Sequence, residues 1–304
     1  MTKKILALIM ALCLVFALAA CNNGGKDDET TTAAADTAVN GETVAADETE
    51  AADATEAVSG DTTDVSEEAS TEAASEAETE AATQGGTQTD TPAASTKPST
   101  TAEIVDYFNK AINSAKKDSK SITSNYMKHA QAGKIEGLSS TLTSLANSLM
   151  DTYMGEDKAK KNVTWSTAAD KNAFFPVEKE TWASKLTVAD VQSATCTESN
   201  GVYTITIKTK ADGRSENYAH GVGHVPKAFN VVLPGVVNDN IPGIAASMVG
   251  LSTMGYPMGK VVVKVDAETG NVKSADYDIQ WTINFDKIGA AIPLGTKSSY
   301  VVTF

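Results

Sequence analysis

Two stretches decide the fold. Residues 199–207 read SNGVYTITI, and residues 260–285 read KVVVKVDAETGNVKSADYDIQWTINF. In the first, Val202, Thr204 and Thr206 alternate with Tyr203, Ile205 and Ile207, after a turn at Ser199-Asn200-Gly201. Alternation with period two puts one set of side chains on a buried face and the other in water. In the second, Lys260–Val265 alternates less cleanly, and Asp266-Ala267-Glu268-Thr269-Gly270 has the form of a hairpin loop, with Gly270 free to take positive φ. The return run from Asn271 to Phe285 places Tyr277, Ile279, Trp281, Ile283 and Phe285 on one face, and a last strand is expected over Ser298–Phe304. Consecutive strands with short connections define an antiparallel sheet.

Upstream the period changes to that of a helix. Thr100 and Glu103 have capping-box spacing, and Ile104, Phe108, Ala111, Ile112 and Ala115 follow at helical intervals. A second helix is expected from Lys134 to Met154, with Ile135, Leu138, Leu142, Leu145, Leu149 and Met150 as its stripe and Gly155 as its stop. Both stripes are read as packing faces. Trp165, Phe174, Phe175 and Trp182 cluster around Pro176 and are expected to anchor a connection onto the sheet, with one helical turn after Thr187. Helices followed by an antiparallel sheet make an α+β domain, here with N-terminal helices packed on a sheet that is open to strong curvature.

The domain occupies 101–304. Between Asn22 and Thr100 the chain is Thr, Ala, Glu and Asp with no aromatic residue, and carries 19 acidic residues against Lys26 and Lys97. Such a composition cannot bury enough apolar surface to offset the entropy of ordering, so 21–100 is expected to be a disordered spacer. A transient helix near Glu67–Ala82 is the most order it would show. Its r.m.s. span would be about 50 Å and its contour roughly 270 Å. The formal charge of -14 therefore belongs to the spacer, and residues 101–304 carry a net +1. A nearly neutral domain offers no electrostatic footprint for nucleic acid.

The chain begins MTKKILALIMALCLVFALAAC. Lys3 and Lys4 precede an apolar run, Ile5–Ala20, that is shorter than the roughly 20 residues of a spanning helix. The run ends in Leu18-Ala19-Ala20-Cys21, which resembles the lipobox of bacterial lipoproteins. That resemblance implies a signal peptide over 1–20, diacylglyceryl (palmitate-type) lipid on Cys21, and a chain held to the extracytoplasmic face of a cell membrane. Two acyl chains suffice for stable anchoring where one is marginal. Beyond the leader, TAEIVDYFNKAIN, LTVADVQSATCTESNGVYTITIK and VDAETGNVKSADYDIQW resemble surface lipoproteins of gut-type Firmicutes, which implies architecture and no residue roles.

Motifs for chemistry are sparse. With Cys13 in the leader and Cys21 lipidated, Cys196 is alone, so neither a disulfide nor a multi-thiolate metal site follows. Cys196 reads as a small hydrophobe in a strand. His220 and His224 have an i,i+4 spacing that binds zinc on a helix, but Gly221 and Gly223 oppose a helix and no third ligand is adjacent. No Gly-x-Ser-x-Gly elbow surrounds Ser247, and no phosphate-binding glycine fingerprint occurs. Asp276 and Asp278 read as the polar side of an exposed edge strand. No cofactor is implied, and the balance leans away from an enzyme.

The segment from Phe229 to Gly259 is apolar, rich in Gly and Met, and interrupted by Pro234, Pro242 and Pro257, with room for a short helix at Ile244–Leu251. It reads as an irregular connection buried in the core, or as a mobile lid in which Met248, Leu251, Met254 and Tyr256 meet a ligand. The leading expectation is a non-enzymatic, membrane-anchored binding protein for an apolar or lipid-like ligand. The rivals are a structural or adhesive envelope protein, favoured by exposure of Tyr218 and Tyr256, and a metal-dependent hydrolase using His220 and His224.

Overall fold

The computed structural model describes residues 96–304 except 242–245 and 248, together with the isolated Ala11. The leader, Cys21, the spacer to residue 95 and Met248 lie outside the described residues, as do residues 244 and 245 of the helix expected at 244–251, whose residues 246, 247 and 249 are helical. No described helix is long and apolar enough to cross a membrane.

Large antiparallel sheet and helix coexist, as an α+β chain requires. Helix α1 (Thr101–Asp118) begins where its capping box is written. The Thr100 hydroxyl accepts from the Glu103 amide at 3.2 Å, and the Glu103 carboxylate accepts from the Ser99 and Thr100 amides at 2.9 and 3.0 Å. The expected stripe is the buried one: Ile104, Phe108, Ala111, Ile112 and Ala115 all face inward, joined by Val105. Just before the helix, Pro98 is already buried.

The two expected helices are not consecutive. Strand β1 (Ser121–Gln131) lies between them and pairs with the chain's last strand, β9 (Ala290–Thr303). Its alternation is hidden by a register shift between Ser124 and Tyr126. Ile122 and Ser124 face inward before the shift, and Met127 and His129 after it, so a fixed period of two fails to find them.

Helix α2 (Ser140–Tyr153) is shorter than Lys134–Met154. Residues before it are held in extended pairing, with Glu136 and Ala291 exchanging backbone hydrogen bonds at 3.0 and 3.1 Å. Its stripe is also less of a core than expected. Only Ala146 and Met150 are buried, while Leu145 is exposed.

Short elements follow: β2 (Gly155–Glu156), β3 (Val163–Trp165) and helix α3 (Ala168–Phe174). The hairpin of β4 (Val191–Ser199) and β5 (Val202–Thr209) turns at Asn200 and Gly201, both at positive φ. Tyr203, Ile205 and Ile207 are the buried face, as alternation predicts. Cys196 is half-buried on β4. Strand β6 (Asp212–Ser215) and the short helix α4 (Pro234–Asn238) precede β7 (Ser252–Asp266), which pairs with β8 (Val272–Phe285) around the expected hairpin loop, with Gly270 at φ +73.

Among the described residues the sheet has nine strands, in the order β2-β1-β9-β8-β7-β5-β4, with β3 on β1 and β6 on β7. Every pairing is antiparallel. Strand β8 is therefore internal, and the expectation that Asp276 and Asp278 mark an edge is corrected. They stand on the solvent face of a central strand, where Lys297 of β9 approaches Asp278 at 3.3 Å. The opposite face of β8 carries Tyr277, Ile279, Trp281, Ile283 and Phe285, all buried against the cluster that includes α1. The last strand is twice the expected length because it begins at Ala290, pairing with Phe285.

Candidate functional site

A pocket of about 120 Å³ opens over the end of the sheet formed by β1 and β9. Its polar lining comes from four separate parts of the chain: His129 on β1, Thr296 on β9, Glu178 and Lys179 in the loop after α3, and His220 with Asn230 in the connection between β6 and α4. Val231, Val232, Leu233 and Val236 supply an apolar wall, and Met127 completes the lining.

Neighbouring strands set the first pair. His129 and Thr296 are register partners on β1 and β9, and Nδ1 of the buried imidazole lies 3.0 Å from the threonine hydroxyl. The other wall is held by Glu178. Its amide donates to Asn230 Oδ1 at 2.7 Å, and its carboxylate accepts from Asn230 Nδ2 at 3.2 Å and Lys160 Nζ at 3.3 Å. Asn230 thus bridges two loops, and Lys160 neutralises the carboxylate that faces the pocket.

Beneath this loop sits Lys116, on the last turn of α1 and 1 % exposed. Its ammonium donates to the carbonyls of Phe175, Val177 and Trp182 at 3.1, 2.7 and 3.3 Å. Burial pulls this amine down to about 8, with Glu178 and Glu180 acting in the opposite sense. One buried cation therefore organises the loop that carries Glu178 and Lys179. The aromatic residues behave in part as expected. Phe175 and Trp165 are buried, and Phe175 meets Tyr300 edge-on at 5.1 Å, whereas Phe174 stacks on Trp165 from the outside under the Lys160 ammonium. The hydroxyl of Tyr277 is buried without a hydrogen-bond partner among the described residues, and burial raises the phenols of both Tyr277 and Tyr300.

His220 is the unsatisfied group of the pocket. Its Nδ1 is buried and has no partner among the described residues. Burial lowers the imidazole below its ordinary range. Glu180 and Glu178 oppose that effect, and Lys179 and Lys116 add to it. Native buried polar atoms are nearly always paired, so this nitrogen is an exception.

His224 goes elsewhere. Its Nδ1 lies 2.9 Å from Asp190 Oδ1, which also accepts from Lys227 Nζ at 2.7 Å. The other oxygen of Asp190 accepts from the Thr187 amide and hydroxyl at 2.8 and 2.7 Å, closing the turn expected after Thr187. Burial alone would raise this carboxyl, but the bonds from Lys227, His224 and Thr187 outweigh it and hold it at about 2. The His224 and Val225 amides bind Asp212, which fixes the glycine-rich loop. The two histidines thus serve different neighbourhoods, and no described trio of His, Cys, Asp and Glu could hold a metal ion.

The expected ligand loop is corrected as well. Residues 252–258 are the first half of β7, and Met254 and Tyr256 are both 0 % exposed within the core. The Tyr256 hydroxyl donates to the Val232 carbonyl at 2.7 Å, and its ring meets Tyr218 edge-on at 5.0 Å. Leu251 is 65 % exposed just before the strand. Pro257 concealed the strand, because proline is excluded from central strands except at irregularities. Here it falls within the register shift between Gly255 and Met258. Tyr256 still matters indirectly, since it braces the segment that forms the apolar wall.

His129, Glu178 and Asn230 were not singled out from the sequence. His129 could have been found had the phase change in β1 been read as a bulge. No local signal brings Glu178 to Asn230, because loop packing alone joins them. Comparison with family models, with curated proteins and with solved structures found no match.

Proposed function

We propose that this chain is a non-enzymatic binding protein, anchored to the outer face of a membrane by lipid on Cys21, that holds a small apolar-bodied molecule in the His129–His220 pocket. The observation that carries the reading is the pocket itself, with four aliphatic residues in its lining and a few polar ones, among them His129, His220 and Thr296. Sites for small ligands combine an apolar lining with a few placed polar groups in this way.

Volume narrows the ligand. A cavity of about 150 Å³ holds a benzene-sized molecule, so about 120 Å³ suits a single ring or a short branched chain, and a whole lipid would project far outside. A strongly curved sheet beneath N-terminal helices is part of this reading. It is supported by the register shifts in the β1–β9 and β7–β8 pairs, since bulges bend the strands that carry them. The long acidic tract between Cys21 and the folded part suits a tether that lifts the pocket away from the membrane. Burial of Tyr256 removes one of the two aromatics that would support an adhesive surface. The pairing of His224 with Asp190, and not with His220, gives a metal-dependent hydrolase no support.

The test is isothermal titration of the chain from Asn22 to Phe304 with single-ring aromatics and branched five- and six-carbon compounds, neutral and charged. At least one is expected to bind saturably, and Val236→Trp, which fills the pocket, should weaken it by at least about tenfold. No saturable binder, or affinity indifferent to Val236→Trp, would refute the proposal.

A further inference from the structure

The aliphatic residues of the pocket leave the charge of its ligand open, and two charged side chains, Glu178 and Lys179, stand in the same lining. They are not equivalent. Oε1 of Glu178 accepts from Lys160 Nζ at 3.3 Å, in a pair whose side chains are 12 % exposed for the lysine and 17 % for the glutamate. That negative charge is therefore balanced at short range. Lys179 is exposed, and its ammonium has no ion pair or hydrogen bond among the described residues. Lys116 and Glu180 add one charge of each sign nearby and act on one another. Three cations thus accompany two carboxylates, and the one left without a counter-charge is Lys179. Its charge also reaches the pocket, since it acts on His220, another residue of the lining.

The backbone gives a second, independent indication. Lys179 stands at φ +67, and the other described non-glycine residues at positive φ are asparagines, Asn162 and Asn200. Asparagine is enriched in that region and lysine is not. Three consecutive amides pin the loop: Glu178 donates to Asn230 Oδ1 at 2.7 Å, Lys179 to the Asn172 carbonyl at 2.7 Å, and Glu180 to the Val177 carbonyl at 3.2 Å. Glycine or asparagine would fit this backbone with less strain. The fold gains nothing from a lysine here, and the pocket gains a cation.

We propose that the pocket takes a small branched or single-ring carboxylic acid as its anion, with the carboxylate paired to Lys179 and the apolar body packed among Val231, Val232, Leu233 and Val236. This rests on the binding role proposed above and adds the charge of the ligand. The aliphatic residues select the body by size. Lys179 selects the head, because a carboxylate meets an ammonium that has no other partner. A ligand ammonium would meet repulsion from Lys179 and a Glu178 already balanced by Lys160. Since Lys179 is open to solvent, the pair is partly screened and its contribution is moderate.

The experiment titrates the Asn22–Phe304 chain calorimetrically with isovalerate, isovaleramide and isopentylammonium, three molecules of similar size and different charge, at low and at high salt. At neutral pH and low salt isovalerate is expected to bind roughly three- to tenfold more tightly than the amide, with the cation weaker than both. High salt should narrow the difference. In Lys179→Asn the acid should lose its advantage, while the amide keeps its affinity and the melting temperature holds or rises. A merely structural lysine would instead lower the melting temperature and weaken every probe alike. Isovalerate binding no more tightly than the amide, or keeping its lead in Lys179→Asn, overturns the assignment of the charge and leaves the pocket standing. Absence of saturable binding by all three, and by neutral single-ring compounds, overturns the binding role itself. The wild-type comparison of acid with amide needs no variant, so a Lys179→Asn chain that failed to fold would not shield the proposal.

Discussion

Raising the pH from about 8 to about 10 should stabilise this fold, and Lys116 is the reason. In the folded chain burial holds its amine at about 8, against an ordinary value of 10.5. Between those values the unfolded chain keeps a proton that the folded chain has released, so the free energy of unfolding climbs with pH. Each unit of difference is worth about 1.4 kcal/mol, so the window from 8 to 10 contributes roughly 2–3 kcal/mol. Below pH 8 both states are protonated and the contribution is flat. Two other kinds of group, a thiol and phenols, act in the opposite direction and must be separated. Burial raises the Cys196 thiol, and Tyr256, Tyr277 and Tyr300 are held neutral, so each of them favours unfolding as the solution becomes more alkaline. A Cys196→Ala background removes the first, and a limit of pH 10 avoids most of the second. The assay is urea unfolding followed by tryptophan fluorescence at pH 7.5, 8.5 and 9.5. The midpoint of the Cys196→Ala chain should rise across the series. In Lys116→Met it should stay level, and at neutral pH that variant leaves the Phe175 and Val177 carbonyls buried without a donor, at about 1–3 kcal/mol each, less what is recovered by no longer burying a charge. A midpoint that is level or falling between pH 8 and 10 in the Lys116 chain, and identical to that of Lys116→Met, would refute the reasoning.

Asp190 supplies the acid-side counterpart. Its carboxyl is held at about 2 against an ordinary 3.8, so its contribution of roughly 2 kcal/mol is complete above pH 4 and is lost as pH falls toward 2; acid titrations of the wild type and Asp190→Asn should converge at the low end of that window. Gly137→Ala should cost at least about 2 kcal/mol, because Gly137 sits at φ +75 and an added Cβ would fall 1.8 Å from the Gly289 carbonyl oxygen; a melting temperature equal to the wild type would contradict the close approach of these two turns. Thr100→Ala should cost about 1 kcal/mol, with faster amide exchange confined to the first turn of α1, and uniform acceleration across the sheet would contradict a local cap.

Legibility followed the range of the interaction. The capping box at Thr100 and Glu103, the α1 stripe, the Asn200–Gly201 turn and the Asp266–Gly270 hairpin are decided by residues within a few positions of one another, and all stand where local chemistry puts them. The inward face of β8 could be read because period two is unbroken from Tyr277 to Phe285. Reading failed where a bulge changed the phase. In β1 the shift at Ser124–Tyr126 divided one strand into two unconvincing fragments, and in β7 Pro257 occupied an irregularity and turned a strand into an expected loop. The helix expected from Lys134 failed for another reason, since Glu136 is claimed by Ala291, more than 150 residues away.

The amino-acid sequence by itself determined the α+β class, the separation of an acidic tract from a neutral domain, and the local caps and turns, because these depend on composition and short-range geometry. Only the tertiary structure decided the pocket. His129, Glu178, His220, Asn230 and Thr296 are spread over 168 positions, counted inclusively from first to last. They meet because β1 pairs with the chain's last strand and because Asn230 holds the loop of Glu178 against its own. Those contacts depend on the whole sheet closing on its core, so no window of sequence contains them.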